Sequence, residues 1–287
     1  MNYEKNRINL INMQIYNFFL WIRRGFILMR EILIKLLDGR ISIDDAVQEL
    51  KVTQVQEIGE NIKFDVGREN RVGVPEAIYA QGKTDEDLLD IINNINDLNN
   101  IMITRLPESR FNHIYNKIND DTKKFIKYYS KGSILTINKK EPKRCKGKVG
   151  IITAGTADIP IAEESRITLE QGGYTAVKTY DVGIAGIHRL IDKISLLIEE
   201  KVDVIITLAG MEGALPSVVA GIVDIPVVAV PTSTGYGVGE KGFTALFAML
   251  QSCAPGIATM NIDNGYGAAI YAITILKQIE KRINEGY

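Results

Sequence analysis

Five short runs rich in valine and isoleucine occupy the second half of the 287-residue chain, and a helical pattern follows each of them. The runs do not alternate polar with apolar residues, which is typical of strands buried on both faces of a parallel sheet. We therefore predict an α/β domain with helices on both faces of one parallel sheet. The predicted strands are 148–153, 174–179, 203–208, 226–230 and 257–262, and the predicted helices are 160–171, 187–200, 214–222, 240–252 and 266–283.

Loops of glycine and other small residues follow each predicted strand. Of the 25 glycines, 18 lie in residues 146–287 and 7 precede them. Ligands of parallel α/β sheets bind at the carboxyl ends of the strands, where these loops lie. Glycine loops that open helices present backbone N–H groups to anions, although none of these loops has a dinucleotide or P-loop fingerprint. We expect a ligand at this edge, and a phosphate-bearing ligand is the natural candidate.

The first half of the chain is less regular and predicts a smaller α+β domain over residues 29–140. The polar and basic stretch 141–147 is predicted to link it to the α/β domain, 148–287. In the first half we predict helices at 31–37, 42–50 and 84–98, extended chain at 61–74, a strand at 101–105 and a helical segment at 112–118.

Residues 1–28 are interpreted as an extension of the fold or as a mis-called start. Their longest uncharged stretch, 8–22, is too short and too polar for a membrane-spanning helix. Arg23 and Arg24 follow this apolar run, whereas a signal peptide carries its basic residues first. With 34 Lys and Arg against 35 Asp and Glu, the chain has no general attraction to nucleic acid or acidic membranes. We expect a soluble, cytoplasmic protein.

The two cysteines and two histidines are too few for a disulfide framework or a Cys/His zinc cluster. Cys253 precedes Ala-Pro-Gly and the last strand, and it is either a buried small hydrophobe or a reactive thiol. Cys145 lies in the basic linker without a fixed pocket, so we do not expect it to act in catalysis.

Three residues in the loops after the first three strands are candidates for chemistry. Asp158 is either the N-cap of the next helix or a carboxylate that handles protons. His188 is either a solvent-exposed loop residue or a functional one. Glu212 lies among small residues, where a carboxylate suits Mg²⁺ binding or acid–base work.

Several long motifs of the chain resemble those of the LarB family, which are carboxylase/hydrolases of nickel-pincer nucleotide cofactor biosynthesis. Two shorter segments, RVGVPEAIYAQGKT (71–84) and ITRL (103–106), extend the resemblance into the first half. The main motifs, all within residues 148–276, are GIITAGTADIPIAEES, YDVGIAGIHRL, LAGMEGALPSVVAG, IPVVAVPTSTGYG and MLQSCAPGIATMNIDNGYGAA.

The second half is also similar to PurE, the aminoimidazole ribonucleotide carboxylase/mutase, which implies a three-layer, PurE-like fold for the C-terminal domain. Asp158 and the segment 187–189 match PurE motifs. Two positions depart from them, since the PurE serine is Ala157 here and its loop histidine is Ala214. These departures, together with the additional Cys253, favour the LarB reaction over the purine reaction.

The LarB resemblance implies carboxylation of the pyridinium ring of nicotinic acid adenine dinucleotide by CO₂, with hydrolysis of its phosphoanhydride. The products would be pyridinium-3,5-biscarboxylic acid mononucleotide and AMP. Cys253 would form a transient adduct with the ring, Asp158 or His188 would act as the base, and Glu212 would be a further catalytic residue. The substrate-binding positions implied are Thr156, Arg189, Gly210, Met211, Gly213, Ser233, Asn261, Arg71, Lys83 and Arg105.

The resemblance also implies Mg²⁺ as a cofactor with ligands unknown, no organic cofactor, no nucleic acid or membrane partner, and a homo-oligomer for which an octamer is one candidate. Two alternative functions stay open. A PurE-type mutase would turn over carboxyaminoimidazole ribonucleotide. A non-catalytic dinucleotide-binding module would bind its ligand without releasing AMP.

Overall fold

The computed structural model of the protein describes residues 30, 32–51, 56–58, 62–64, 74, 76–94 and 100–285. Within these ranges the two larger sheets fall on either side of the basic stretch 141–147. No helix of the described ranges combines the length and the apolar character that crossing a bilayer requires.

The amino-terminal part contains a four-stranded mixed sheet in the order β3-β4-β6-β5, in which β3 and β4 are parallel and the other pairs antiparallel. A separate antiparallel pair, β1 and β2, precedes it. The elements are α1 (Ile43–Lys51), β1 (Gln56–Ile58), β2 (Ile62–Phe64), β3 (Ala77–Tyr79), α2 (Asp85–Asn94), β4 (Asn100–Thr104), α3 (Glu108–Tyr115), α4 (Asp120–Lys123), β5 (Ile126–Tyr129) and β6 (Ile134–Asn138).

Local sequence explains where α2 begins. The backbone N–H of Asp87 donates to Thr84 Oγ1 (3.1 Å), and the N–H of Thr84 donates to Asp87 Oδ2 (2.9 Å). This reciprocal pair satisfies two donors at the start of the helix, as in a capping box. The described part of the helix reaches Asn94, and the rest of the predicted range, 95–98, lies outside the described residues. The strands β5 and β6 were not predicted from the sequence.

The carboxyl-terminal part is a single five-stranded parallel sheet in the order β11-β10-β9-β7-β8. The three-layer α/β prediction is therefore confirmed. The last strand is shorter than predicted, and helix bounds differ by a few residues. The elements are β7 (Lys148–Thr153), α5 (Ile159–Gln171), β8 (Thr175–Thr179), α6 (Ile187–Glu199), β9 (Val204–Ala209), α7 (Leu215–Ala220), β10 (Val227–Pro231), α8 (Phe243–Leu250), β11 (Ile257–Thr259) and α9 (Gly265–Asn284).

Each face of this sheet packs against its own set of helices. Helices α5 and α9 cover one face through residues such as Leu169 and Ile273. Helices α6, α7 and α8 cover the other through residues such as Leu197, Val219 and Met249. Strands β7 and β9 are neighbours in the sheet. From β7 the chain continues to β8 on one side of this pair, and from β9 it continues to β10 and β11 on the other side. Such a switch point is where parallel α/β sheets bind ligands.

The amino-terminal part packs against α5. Met102 of β4 and Ile134 of β6 meet Ile167 of α5 in a small buried cluster. Beside it, the Arg166 guanidinium lies over the ring of Tyr129, 5.7 Å from its centroid, and bonds to Glu163. The two parts are therefore held together by apolar packing and by charged groups of α5.

The packing of α6 gives a stability prediction. Leu197 is fully buried, and a Cβ added at Gly150 would lie 2.9 Å from it, so helix and sheet are in close contact. We predict that Leu197→Ala lowers the free energy of unfolding by about 2–5 kcal/mol. The exposed neighbour Leu196 is the matched control, and Leu196→Ala should cost less than about 1 kcal/mol. Urea denaturation followed by circular dichroism measures both, and equal losses would contradict the packing described.

Candidate functional site

A cavity of about 240 Å³ lies at the carboxyl ends of β7 and β9, at the switch point of the sheet. Loops that follow β7, β8, β9 and β10 contribute to it, as the glycine distribution predicted. The residues that line it are Ala154, Gly155, Asp158, Gly183, Ile184, Ala185, Ala209, Gly210, Met211, Glu212, Ala214, Leu215 and Thr234.

Asp158 is the buried carboxyl group of the cavity, with 2% of its surface exposed. Its Oδ1 accepts a hydrogen bond from Thr232 Oγ1 (2.6 Å), and its Oδ2 accepts one from the backbone N–H of Gly155 (2.9 Å). The residue occupies the N-cap position of α5, but its side chain makes no capping bond there. The bond from the Gly155 N–H instead belongs to a capping box of the 3₁₀ turn Thr156–Asp158, which precedes α5. The interpretation of Asp158 as the cap of α5 is therefore wrong, and its role in proton transfer stays a prediction.

The environment of Asp158 favours its neutral form. Burial raises the pKa of this carboxyl group above its usual value, and it outweighs the hydrogen bonds from Thr232 and Gly155, which lower the pKa. The negative charge of Asp263 adds to the upward shift. A carboxyl group with a raised pKa is a stronger base than an ordinary aspartate, which suits it to accept and return a proton during catalysis.

The loop after β9 brings its backbone close to the loop after β10. A Cβ at Gly210 would overlap the carbonyl oxygen of Thr234, so only glycine fits there. The N–H of Met211 donates to the same carbonyl (2.9 Å). Gly213 has a φ of 64° and lies against Ala245 of α8. Of the predicted substrate-binding residues, Gly210 and Met211 line the cavity, whereas Gly213 shapes the turn behind it.

Glu212 lines the cavity with an exposed side chain, as its position in the third loop predicted. The described residues contain no group of three or more His, Cys, Asp or Glu side chains that could hold a metal ion. Mg²⁺ bound mainly by substrate phosphates needs only one or two protein carboxylates, and in that form it stays a prediction.

His188 and Arg189 lie in the first turn of α6 rather than in the loop before it. Both are exposed, and neither is among the described residues that line the cavity. The Arg189 guanidinium lies 3.6 Å from the Asp181 carboxylate, and a Cβ at Gly186 would approach it to 2.7 Å. The pair is therefore at the rim, where it can meet the outer part of a ligand.

Thr156, Ser233 and Asn261 are exposed residues of the same edge but are not among the described cavity-lining residues. The Ser233 N–H donates to Asp263 Oδ1 (2.7 Å). The Asn261 side chain accepts from the N–H of Ile262 (2.9 Å). At this edge, the structure places Thr156 after β7 and Ser233 after β10, as predicted, and Asn261 after β11 rather than within the strand predicted at 257–262.

Cys253 is exposed, so the interpretation of this residue as a buried hydrophobe is wrong. It lies between α8 and β11, in a loop fixed by the contact of Ser252 Oγ with Ser217 Oγ (2.8 Å). The N–H of Val227, at the amino end of β10, donates to the carbonyl of Gly256 (3.0 Å). The loop thus meets the sheet at the amino ends of its strands. Within one chain, Cys253 is not among the described residues that line the cavity.

The first half was expected to supply three cations to the site. Arg71 lies outside the described residues. Lys83 is partly exposed and its carbonyl accepts from Arg110 (2.8 Å). The Arg105 guanidinium instead bonds to Glu164, with Nε 3.1 Å from Oε1, and also to the carbonyl of Asp263. Arg105 therefore contacts the carboxyl-terminal domain, and its bonds are to protein groups.

Sequence reasoning missed the groups that support Asp158. Thr232 follows Asp158 by 74 residues and Asp263 follows Ser233 by 30, so no local spacing indicates either contact. Thr232 does lie within the quoted motif IPVVAVPTSTGYG, and Asp263 lies within MLQSCAPGIATMNIDNGYGAA. Their position directly after predicted parallel strands is the signal that could have marked them.

Residues 148–286 match the family model of AIR carboxylase, and residues 55–140 match that of the LarB/PurE-like N-terminal domain. An uncharacterized protein of Methanocaldococcus jannaschii is 44% identical over 261 residues, which cover 88% of this chain and 98% of that protein. The N5-carboxyaminoimidazole ribonucleotide mutase of the same organism is 35% identical over 136 residues, which cover 46% of this chain and 81% of the mutase.

The solved structure of Treponema denticola PurE covers 49% of this chain and 96% of its own, with 18% identity and a TM-score of 0.35. The two family models match in the order in which the two sheets occur along the chain. The archaeal relative aligns over almost its whole length. The chain therefore belongs to the LarB family, with a PurE-like, carboxylase-related domain at its carboxyl end.

Proposed function

We propose that this protein carboxylates the pyridinium ring of nicotinic acid adenine dinucleotide with CO₂ and hydrolyses the phosphoanhydride. The products are pyridinium-3,5-biscarboxylic acid mononucleotide and AMP, used in nickel-pincer nucleotide biosynthesis. The observation that carries the proposal is the buried carboxyl group of Asp158, with its raised pKa, in a cavity at the switch point of the sheet of a LarB-family chain.

The chemistry needs a nucleophile because a pyridinium ring is electron-poor and does not attack CO₂. Addition of the Cys253 thiolate to the ring gives a neutral dienamine, whose nucleophilic carbon forms the new bond to CO₂. A base then removes the proton from that carbon, the thiolate leaves with its electron pair, and the ring is again aromatic. The net change is replacement of one ring hydrogen by a carboxylate, with release of a proton.

Asp158 is the base that the geometry favours. It lines the cavity, whereas His188 is exposed at the rim. Its raised pKa makes the carboxylate a stronger base than an ordinary aspartate. The Thr232 hydroxyl and the Gly155 N–H hold both oxygens, so the carboxylate keeps one orientation while it accepts the ring proton.

The phosphates of the substrate have matching groups at the rim. Helices α5 and α6, of 13 residues each, both begin at this edge of the sheet. The amino end of each helix carries partial positive charge, which attracts anions. Arg189 in the first turn of α6 adds a cationic side chain, whose charge Asp181 partly compensates. These groups support a role in charge stabilisation during phosphoanhydride hydrolysis.

The separation of Cys253 from the cavity supports the expected homo-oligomer. Phe243, Phe247 and Leu250 recur at helical spacing on α8, and each is more than half exposed. This apolar face ends three residues before Cys253. A second copy that covers this face would bring the Cys253 loop of one chain toward the cavity of another, and association would bury surface that is costly to expose.

Two single cysteine variants test whether Cys253 is the nucleophile. With nicotinic acid adenine dinucleotide, bicarbonate and Mg²⁺, we predict that Cys253→Ser loses carboxylation at least ~1,000-fold, because a hydroxyl is a far weaker nucleophile than a thiolate. Cys145→Ser is the matched control and should keep normal activity, since burial raises the pKa of the Cys145 thiol and so disfavours its thiolate. Mass spectrometry of the products measures both. Full activity of Cys253→Ser would refute the covalent step.

If Asp158 of one copy and Cys253 of another form one active site, two inactive variants should complement each other. Asp158→Asn and Cys253→Ser should each be inactive alone, yet mixed oligomers of the two chains should regain activity, because some cavities then have both native groups. Subunit exchange followed by mass spectrometry of the carboxylated product measures this. Light scattering confirms that the mixed species are oligomers. Mixed oligomers without activity would place both groups in one chain.

The raised pKa of Asp158 predicts the acid limb of the pH profile. The base must be ionised, so kcat/KM should fall as the pH drops through the pKa of Asp158. Thr232→Val removes a hydrogen bond that lowers this pKa, so the limb should move to higher pH. Thr207→Val in the neighbouring strand is the control, because the buried Thr207 hydroxyl has no hydrogen bond to any described residue. An unshifted limb in Thr232→Val would exclude Asp158 as the base.

A second candidate is a PurE-type ribonucleotide mutase, favoured by the similarity of residues in the second half to the archaeal mutase. Ala157 and Ala214 stand where the PurE motifs have serine and histidine. Turnover of carboxyaminoimidazole ribonucleotide by the purified protein would favour this candidate, and turnover of the pyridine dinucleotide alone would exclude it.

A further inference from the structure

We propose that Arg105 is a positioning residue, through which the amino-terminal domain fixes the Asp263 loop beside the catalytic cavity. The inference rests on the proposed function only in assigning Asp158 as the base. It gives the amino-terminal domain a part in the reaction that does not require it to touch the substrate.

The geometry of Arg105 is unusual for a surface cation. It follows β4 with a φ of 56°, a left-handed conformation that is costly for a residue with a Cβ. Its Nε and Nη2 lie 3.1 Å and 3.3 Å from the two oxygens of Glu164, a bidentate arrangement that arginine forms and lysine cannot. Nη2 also donates to the carbonyl of Asp263.

Glu164 is buried in α5, six residues after Asp158, and its Oε2 also accepts the N–H of Tyr266 (3.3 Å). Arg105 and Glu164 therefore hold the segment 263–266 from two sides, at its carbonyl and at its N–H. Asp263 itself has a φ of 56°. A strained residue held by several bonds is one whose position is fixed by its surroundings.

The segment 263–266 is connected to Asp158 through two consecutive residues, Thr232 and Ser233. Asp263 Oδ1 accepts the N–H of Ser233 (2.7 Å), and the preceding residue, Thr232, donates its hydroxyl to Asp158 (2.6 Å). A shift of Asp263 therefore moves the backbone that carries the partner of Asp158. The charge of Asp263 also raises the pKa of Asp158 directly.

The charges around this unit set the direction of the effect. Asp158 faces the hydroxyls of Thr232 and Thr234, the N–H of Gly155 and the charge of Asp263. Arg105 faces Glu164, Asp263 and Tyr79; burial opposes its charge, but the bond to Glu164 and these neighbours raise the pKa of its guanidinium. Without the positive charge of Arg105, the negative charge of Asp263 is less neutralised. The pKa of Asp158 should therefore rise further.

The test is a titration of Asp158 by carbon NMR of protein labelled at aspartate carboxyl groups, with Asp158→Asn used for assignment. Arg105→Gln should raise the pKa of Asp158 by about half a pH unit or more. Asp263→Asn should lower it, and Arg105→Gln combined with Asp263→Asn should resemble Asp263→Asn alone. Arg105→Lys, which keeps the charge without the fork, should fall between the wild type and Arg105→Gln.

Arg110→Gln is the matched control. Arg110 is partly buried and bonds to Asp85, Ala80 and Lys83, all within the amino-terminal domain. The Arg110→Gln substitution should destabilise that domain without changing the pKa of Asp158. An unchanged titration in folded Arg105→Gln, or an equal shift in Arg110→Gln, would overturn the proposal.

The titration needs no substrate, so it stands apart from the proposed reaction. Where the pyridine dinucleotide is turned over, the acid limb of kcat/KM should shift in the same direction and by the same amount as the titration. A titration that shifts in a protein without carboxylase activity would uphold the positioning role and reject the reaction. An acid limb that stays fixed while the titration shifts would remove Asp158 as the base.

Discussion

The carboxyl group of Asp158 joins two loops of the parallel sheet, and the arrangement of the site depends on it. A buried carboxyl group is costly unless its oxygens are hydrogen-bonded. Here Gly155, after β7, and Thr232, after β10, each supply one donor. The two donors orient the carboxylate without cancelling the effect of burial, so its pKa stays raised. Stability and reactivity thus make opposing demands on one side chain, as is common at catalytic sites.

The direction of the strands divides the chemistry between the two edges of the sheet. All five strands are parallel, so every loop that follows a strand meets the cavity edge, and every segment that precedes one meets the opposite edge. Asp158, Glu212 and Thr234 belong to the first set. Cys253 precedes β11 and belongs to the second. A reaction that needs both Asp158 and Cys253 therefore calls for a second copy of the chain.

Much of the α/β domain could be predicted from sequence, because buried parallel strands appear as short Val- and Ile-rich runs at regular intervals. The small mixed sheet was harder. Its strand β5, Ile-Lys-Tyr-Tyr, is partly exposed and lies in a polar stretch, so its sequence shows no clear alternation of polar and apolar residues. The cavity edge was predicted from the glycines, yet the donors to Asp158 were not, since they depend on contacts 74 residues apart.

Two predicted site residues, Cys253 and Arg105, have surroundings that the motifs did not indicate. The family resemblance placed Cys253 and Asp158 in one reaction, although the position of Cys253 before a strand already indicated the opposite edge of the sheet. The resemblance implied that Arg105, a cation within a family motif, binds the substrate. Sequence gave no sign that a buried Glu164, 59 residues away, would pair with it. Pairing between domains is set by the assembled fold, and local patterns do not encode it.

The structure of the Asp158→Asn variant with nicotinic acid adenine dinucleotide tests the central claim most directly, namely that the reaction takes place in the cavity at the switch point. We predict that the pyridine ring lies in this cavity against residue 158, with the phosphates near the amino ends of α5 and α6 and with Cys253 of a neighbouring copy beside the ring. A ring bound elsewhere, such as in the cleft lined by Gln81 and Ser133 of the amino-terminal domain, would contradict it.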